Sequence, residues 1–114
     1  MSDPILHLTS RAAWEAADRA GVYRADSLAG QGFIHCSTAA QVLRVANKFY
    51  PGQHGLVLLV LDPARLTSAV RWEPGSDKPD ELFPHIYGPI NPQAVLRVVD
   101  FEPEAGGRFE RLPL

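Results

Sequence analysis

The chain has 114 residues, 46% of them hydrophobic, with a formal net charge of −2. This length fits one domain that can bury a core without staples, and the totals show no extended nucleic-acid footprint; most of Arg11, Arg19, Arg24, Arg44 and Lys48 read as solvated helix faces, with a local basic patch as the alternative. One cysteine, Cys36, excludes an internal disulfide framework; Met-Ser-Asp-Pro at the N-terminus is no secretory signal, and the longest apolar run, Leu56 to Leu61, cannot span a bilayer, so a cytoplasmic protein away from membranes is expected.

Ile5 to Thr9 reads as a strand with Leu6 and Leu8 on one face and His7 on the other. Ser10 offers an N-cap for a helix that runs to Ala20 and stops at Gly21, with Ala13, Trp14, Ala17 and Ala20 as its apolar stripe. Residues 23–31 read as a polar connection. Gly32 to Cys36 is a second strand, and Thr38 with Gln41 forms a capping box that opens a second helix. Val42, Val45, Ala46 and Phe49 share one face of that helix, which Pro51-Gly52 terminates.

Leu56 to Leu61 is apolar on both faces, as expected of a central strand covered on both sides. Asp62-Pro63 turns the chain, Val70 to Glu73 is a further strand, and Pro74 to Asp80 is a flexible polar loop. Phe83 to Tyr87 follows as a strand whose flanking Pro84 and Pro89 suit an edge or rim, because proline cannot donate to a sheet ladder. Asn91-Pro92 turns into a last strand, Ala94 to Phe101. The compact core is expected over about residues 4–101, with 102–114 a poorly ordered tail.

The order β-α-β-α followed by strands predicts an α+β fold, two helices on a mostly antiparallel sheet. A doubly wound nucleotide-binding sheet is disfavoured, because no Gly-x-Gly-x-x-Gly turn follows a strand.

Strand alternation assigns directions to the polar side chains. His7 shares a face with Ile5 and Thr9, His35 with Phe33, and His85 and Tyr87 with Phe83, whereas His54 sits in a solvated turn. Four chemistries fit these residues. Zinc lacks a closely spaced His or Cys pair, so no metal is expected. Cys36 faces away from His35 and reads as a core thiol rather than a nucleophile. Ser37 and Thr38 read as helix caps rather than nucleophiles. A ligand cleft uses the most features: histidines and Tyr87 for ribose hydroxyls or ring stacking, Ser37, Thr38 and the helix N-terminus for phosphate.

GFIHCST (32–38), Gln41, LVLLVLD (56–62), Trp72-Glu73 and FPHIYGPI (83–90) together resemble the small bacterial family catalogued as domain of unknown function 952. The resemblance runs from Ile5 to about Phe101. That family is similar to a compact ADP-ribosyltransferase fold, a split antiparallel sheet that holds NAD in a cleft, with a tRNA 2′-phosphotransferase branch. The resemblance implies NAD as a cosubstrate or another nucleotide-like ligand. It makes His7 the candidate to hold the nicotinamide-side ribose and matches His35-Cys36-Ser37 to a His-x-Ser motif.

Many ADP-ribosyltransferases carry a glutamate on a late strand, and FPHIYGPI has none. Glu73 takes that place only if its strand is adjacent. The expected site therefore has His7, His35 and Glu73 as catalytic candidates and Thr9, Ser37, Thr38, His85 and Tyr87 as ligand-binding ones. A non-catalytic binding module, or structural histidines with no ligand, are the alternatives.

Overall fold

Six strands in two antiparallel three-stranded sheets, with three helices around them, make up the computed structural model, which describes residues 3–76 and 78–114. Met1 and Ser2, part of the expected non-signal N-terminus, and Asp77, in the expected loop, lie outside the described residues. The α+β class and the antiparallel pairing match the sequence expectation. Among the described residues no helix is long and apolar enough to cross a membrane.

The first sheet has the order β1 (Ile5–Ser10), β3 (Leu56–Leu61), β6 (Val95–Phe101). Every residue of β3 is buried, as its continuous apolar run requires of a strand covered on both faces. One face packs Ile5, Val57, Leu59 and Leu61 against Ile34, Ile86 and Ile90 of the second sheet and its flanks. The other packs Leu6, Leu8, Leu56, Leu58 and Val60 against Val42 and Ala46.

Helix α1 (Arg11–Ala20) has the bounds its signals predict. Ser10 Oγ accepts from the Ala13 N–H, and Gly21 turns left-handed at φ 84°. Its stripe is narrower than expected, since Ala17 alone is buried and Trp14 is half-buried. Helix α3 (Ala39–Phe49) buries Gln41, Val42 and Ala46, while Phe49 at its end is exposed. At its start Gln41 Oε1 accepts from the Thr38 N–H at 3.0 Å. The side-chain amide then donates to Leu82 O and Glu81 Oε2, each at 2.8 Å. One buried glutamine thus ties the helix start to the far sheet.

Two expectations are corrected. The polar connection contains a third helix, α2 (Asp26–Gln31), which ends at left-handed Gly32 and has no side-chain cap. The FPHIY strand is central rather than an edge: β5 (Leu82–Tyr87) lies between β2 (Ile34–His35) and β4 (Ala69–Pro74). Proline is tolerated there for a local reason. Pro84 O accepts from the Cys36 N–H at 3.0 Å, and on an antiparallel strand a residue's N–H and C=O point the same way. The missing donor therefore faces β2 just past its last residue, where the ladder already stops.

Among the described residues β1 meets the segment just past β2 at a bridge, Leu6 with Ser37, through reciprocal N–H···O bonds of 2.8 Å. Residues 102–114 hold no helix or strand, yet Phe109 is buried and stacks on Phe101 at 4.7 Å between ring centroids. Asn47 clasps the Phe109 backbone at both its N–H and C=O.

Candidate functional site

A cleft of about 520 Å³ opens along β1 where the two sheets part. Its walls come from α2 (Asp26, Ser27, Gln31), from β2 and the residues after it (His35, Cys36, Ser37), from α3 (Val45, Phe49) and from β5 (Phe83, His85). Its floor is β1 itself. Leu6 gives both backbone groups to Ser37. Two residues on, the Leu8 N–H and C=O face the same edge by strand alternation, and no further strand pairs with them among the described residues. The cleft floor is an open sheet edge between His7 and Thr9.

His7 is buried and has both ring nitrogens engaged. Nδ1 lies 2.7 Å from the His35 carbonyl, which can only accept, so Nδ1 carries the proton and donates. Nε2, 2.8 Å from Tyr23 Oη, must then accept in the neutral ring, so the Tyr23 hydroxyl donates to it. Thr9 Oγ1, 2.9 Å from the same phenol oxygen, supplies the remaining proton. Burial holds His7 neutral, lowering its pKa to about 4 against the weaker upward pull of the His35 carbonyl. Burial likewise raises the Tyr23 phenol. Tyr23 is itself pinned by a backbone bridge to Ile90.

A second cluster gathers on the facing wall. Phe33 stacks on His85 at 4.1 Å with 17° between the planes, and His35 meets both rings edge-on. His35 Nε2 donates to Gln31 Oε1 at 2.6 Å, and burial with the neighbouring His85 lowers the His35 pKa. β4 does lie beside β5, in the register Glu73 with Phe83 and Arg71 with His85. Glu73 Oε1 accepts from His85 Nδ1 at 2.8 Å and from the Tyr87 hydroxyl at 2.6 Å. Hydrogen bonds from Tyr87 first, then His85, hold the Glu73 carboxyl below its usual range, and the same carboxylate raises Tyr87.

The expected site residues divide accordingly. His7, Thr9, His35, Ser37 and His85 line one cleft. Glu73 and Tyr87 stand behind His85, outside the lining. Thr38 is also outside it, its N–H capped by Gln41. Cys36 is buried in the core cluster, and desolvation raises its thiol well above the usual range, in keeping with a packing thiol. His54, in its turn, bonds Glu102 at the surface.

Sequence reasoning missed Tyr23, Gln31 and Phe33. Tyr23 and Gln31 lie in a stretch without apolar period, and only the shared face of Phe33 and His35 gave any signal. Among the described residues no three His, Cys, Asp or Glu side chains gather as a metal-ligand set.

Comparison with known proteins fits this architecture. The family described as "Protein of unknown function (DUF952)" matches residues 8–98. The crystal structure of protein CC0527 from Caulobacter crescentus is 32% identical, with 94% of this chain and 93% of that one covered and a TM-score of 0.83. The solution NMR structure of CC0527 is also 32% identical, covering 94% and 91%, with a TM-score of 0.81. No curated protein matches the chain.

Proposed function

The chain belongs to the DUF952 family, and from the geometry of its cleft we propose that it is an ADP-ribosyltransferase-like enzyme binding NAD or an ADP-ribose-type ligand. The observation that carries this reading is the open β1 edge at Leu8, set between cleft-lining His7 and Thr9. An N–H and C=O on one residue that no strand pairs with can bond a planar carboxamide as they would another strand, and the nicotinamide end of NAD carries that group.

The cleft volume falls within the range of roughly 300–1,000 Å³ typical of small-ligand pockets. Its lining supplies few, convergent polar groups. The Ser37 hydroxyl has no hydrogen-bond partner among the described residues, so it is available to ribose or phosphate oxygens. Phe49 and Phe83 offer apolar walls for a ring.

Two roles differ from the family-based expectation. His7 has no nitrogen left for a ribose hydroxyl. It acts instead by fixing Tyr23 and the His35 carbonyl, and through them the cleft floor. Glu73 on β4 likewise does not take the place of a ligand-contacting late-strand carboxylate; it stands outside the lining and acts through His85.

Titration calorimetry with NAD, ADP-ribose and a 2′-phosphorylated RNA tests the reading. Saturable binding of NAD or ADP-ribose is expected, weakened at least tenfold in Ser37→Trp, whose side chain fills the cleft. Absence of binding at millimolar ligand, or binding unchanged in that variant, rejects it. Saturable binding with no nicotinamide released over long incubation would make the protein a binding module.

A further inference from the structure

We infer that Glu73 and His85 form a carboxylate–imidazole base whose Nε2 opens on the cleft, and that the group it deprotonates is a neutral hydroxyl, water or an alcohol. This rests on the proposed ligand for its electrophile, but not for the base itself.

Three observations carry it. First, the Glu73 carboxylate accepts from His85 Nδ1 at 2.8 Å. That fixes the tautomer, leaving Nε2 as the lone-pair nitrogen of the neutral ring, and stabilises the imidazolium formed when Nε2 takes a proton. Second, Phe33 stacked on one face and His35 edge-on hold the ring in place. Tyr87 donates to the same Glu73 oxygen and holds the carboxylate. Third, Nε2 has no partner among the described residues, and no buried side-chain nitrogen there is orphaned. His85 lines the cleft and Glu73, on the Nδ1 side, does not, so Nε2 is the ring nitrogen left free to face the cleft.

No other histidine of the cleft is built this way. His7 has both nitrogens engaged, and His35 is held by a neutral amide rather than a carboxylate. An imidazole base suits a hydroxyl acceptor. An amine acceptor is already protonated at neutral pH, and a guanidinium holds its proton too tightly.

With the proposed ligand the step balances. The acceptor O–H bond breaks, its proton goes to His85 Nε2, and the oxygen bonds the anomeric carbon. The carbon–nitrogen bond to the nicotinamide breaks, and its electron pair leaves with the ring, which becomes neutral. His85 then returns the proton to solvent. In these terms His85 is the catalytic residue and Glu73 a positioning one.

The test needs no ligand. Diethyl pyrocarbonate acylates accessible, unprotonated imidazole nitrogens, and peptide mass spectrometry assigns the histidine. Acylation of His85 in the native protein is expected, slowed roughly tenfold in Glu73→Gln, with His54 unchanged as the internal control. Nitrogen NMR of the neutral ring is expected to show the proton on Nδ1, and Glu73→Asp to restore most of the rate. Native His85 that resists the reagent, a rate indifferent to Glu73→Gln in a folded variant, or a proton on Nε2 overturns the inference. Should Glu73→Gln fail to fold, the wild-type labelling and tautomer decide. Failure of NAD to bind while His85 Nε2 is acylated removes the proposed ligand and leaves the base standing.

Discussion

His7 makes the protein's stability depend on pH in a direction that follows from its surroundings. In the folded chain burial lowers its pKa to about 4, whereas the unfolded side chain titrates near 6.5. Between these values the unfolded state binds the proton and the folded state does not, so stability falls as pH drops through that window. It is fully present above pH 6.5, and below about pH 4 nothing more is lost. The full shift corresponds to about 3 kcal/mol, one group's share. Urea midpoints at pH 7.5 and 4.5 check this. His7→Gln is expected to be less stable than wild type at pH 7.5 and to change less between the two values. A variant as pH-sensitive as wild type would assign the effect elsewhere. At this scale alternation alone placed His7, His35 and His85 on usable faces, because a strand's period is two whatever the fold. The partners that engage them were not legible. Tyr23 sits 16 positions beyond His7, and only tertiary packing brings the phenol to the imidazole.

Elements were legible where local chemistry closes them. Ser10, Gly21 and Thr38 mark helix ends by satisfying backbone groups nearby in sequence, and the helices they bound stand as predicted. Helix α2 has six residues, a glycine inside and no capping side chain, so nothing local announced it. β5 shows the converse. Its prolines argued for an edge by a sound rule, but the rule concerns which side lacks a donor, and here that side ends with β2. Gln41 is the contact through which elements distant in sequence hold each other. Gln41→Ala removes its bonds to the Thr38 N–H and Leu82 O together, and is expected to cost about 1–2 kcal/mol. A matching drop in the urea midpoint is the readout, and an unchanged midpoint would mean water replaces both bonds at no cost.

For the molecule as a whole, composition and element order gave the α+β class, but not the division into two sheets joined at Leu6 and Ser37. That division depends on which strands pair, and pairing is invisible to any local window. The tail illustrates the same point. Its sparse apolar residues gave no pattern, yet Phe109 is buried against Phe101 over the α3 face. Phe109→Ala is expected to lower the unfolding free energy by about 3–5 kcal/mol, read from denaturant midpoints. A loss under about 1 kcal/mol would show the tail to be dispensable. The buried strand β3 carries a different consequence. Before the chain closes over it, Leu56 to Leu61 is a six-residue, uncharged, proline-free segment of high strand propensity, the kind that stacks between chains. Gly55 before it and Asp62-Pro63 after it act as gatekeepers that limit its extension. Variants that weaken the fold should therefore first reveal themselves during synthesis, as precipitate and inclusion bodies that grow with expression temperature.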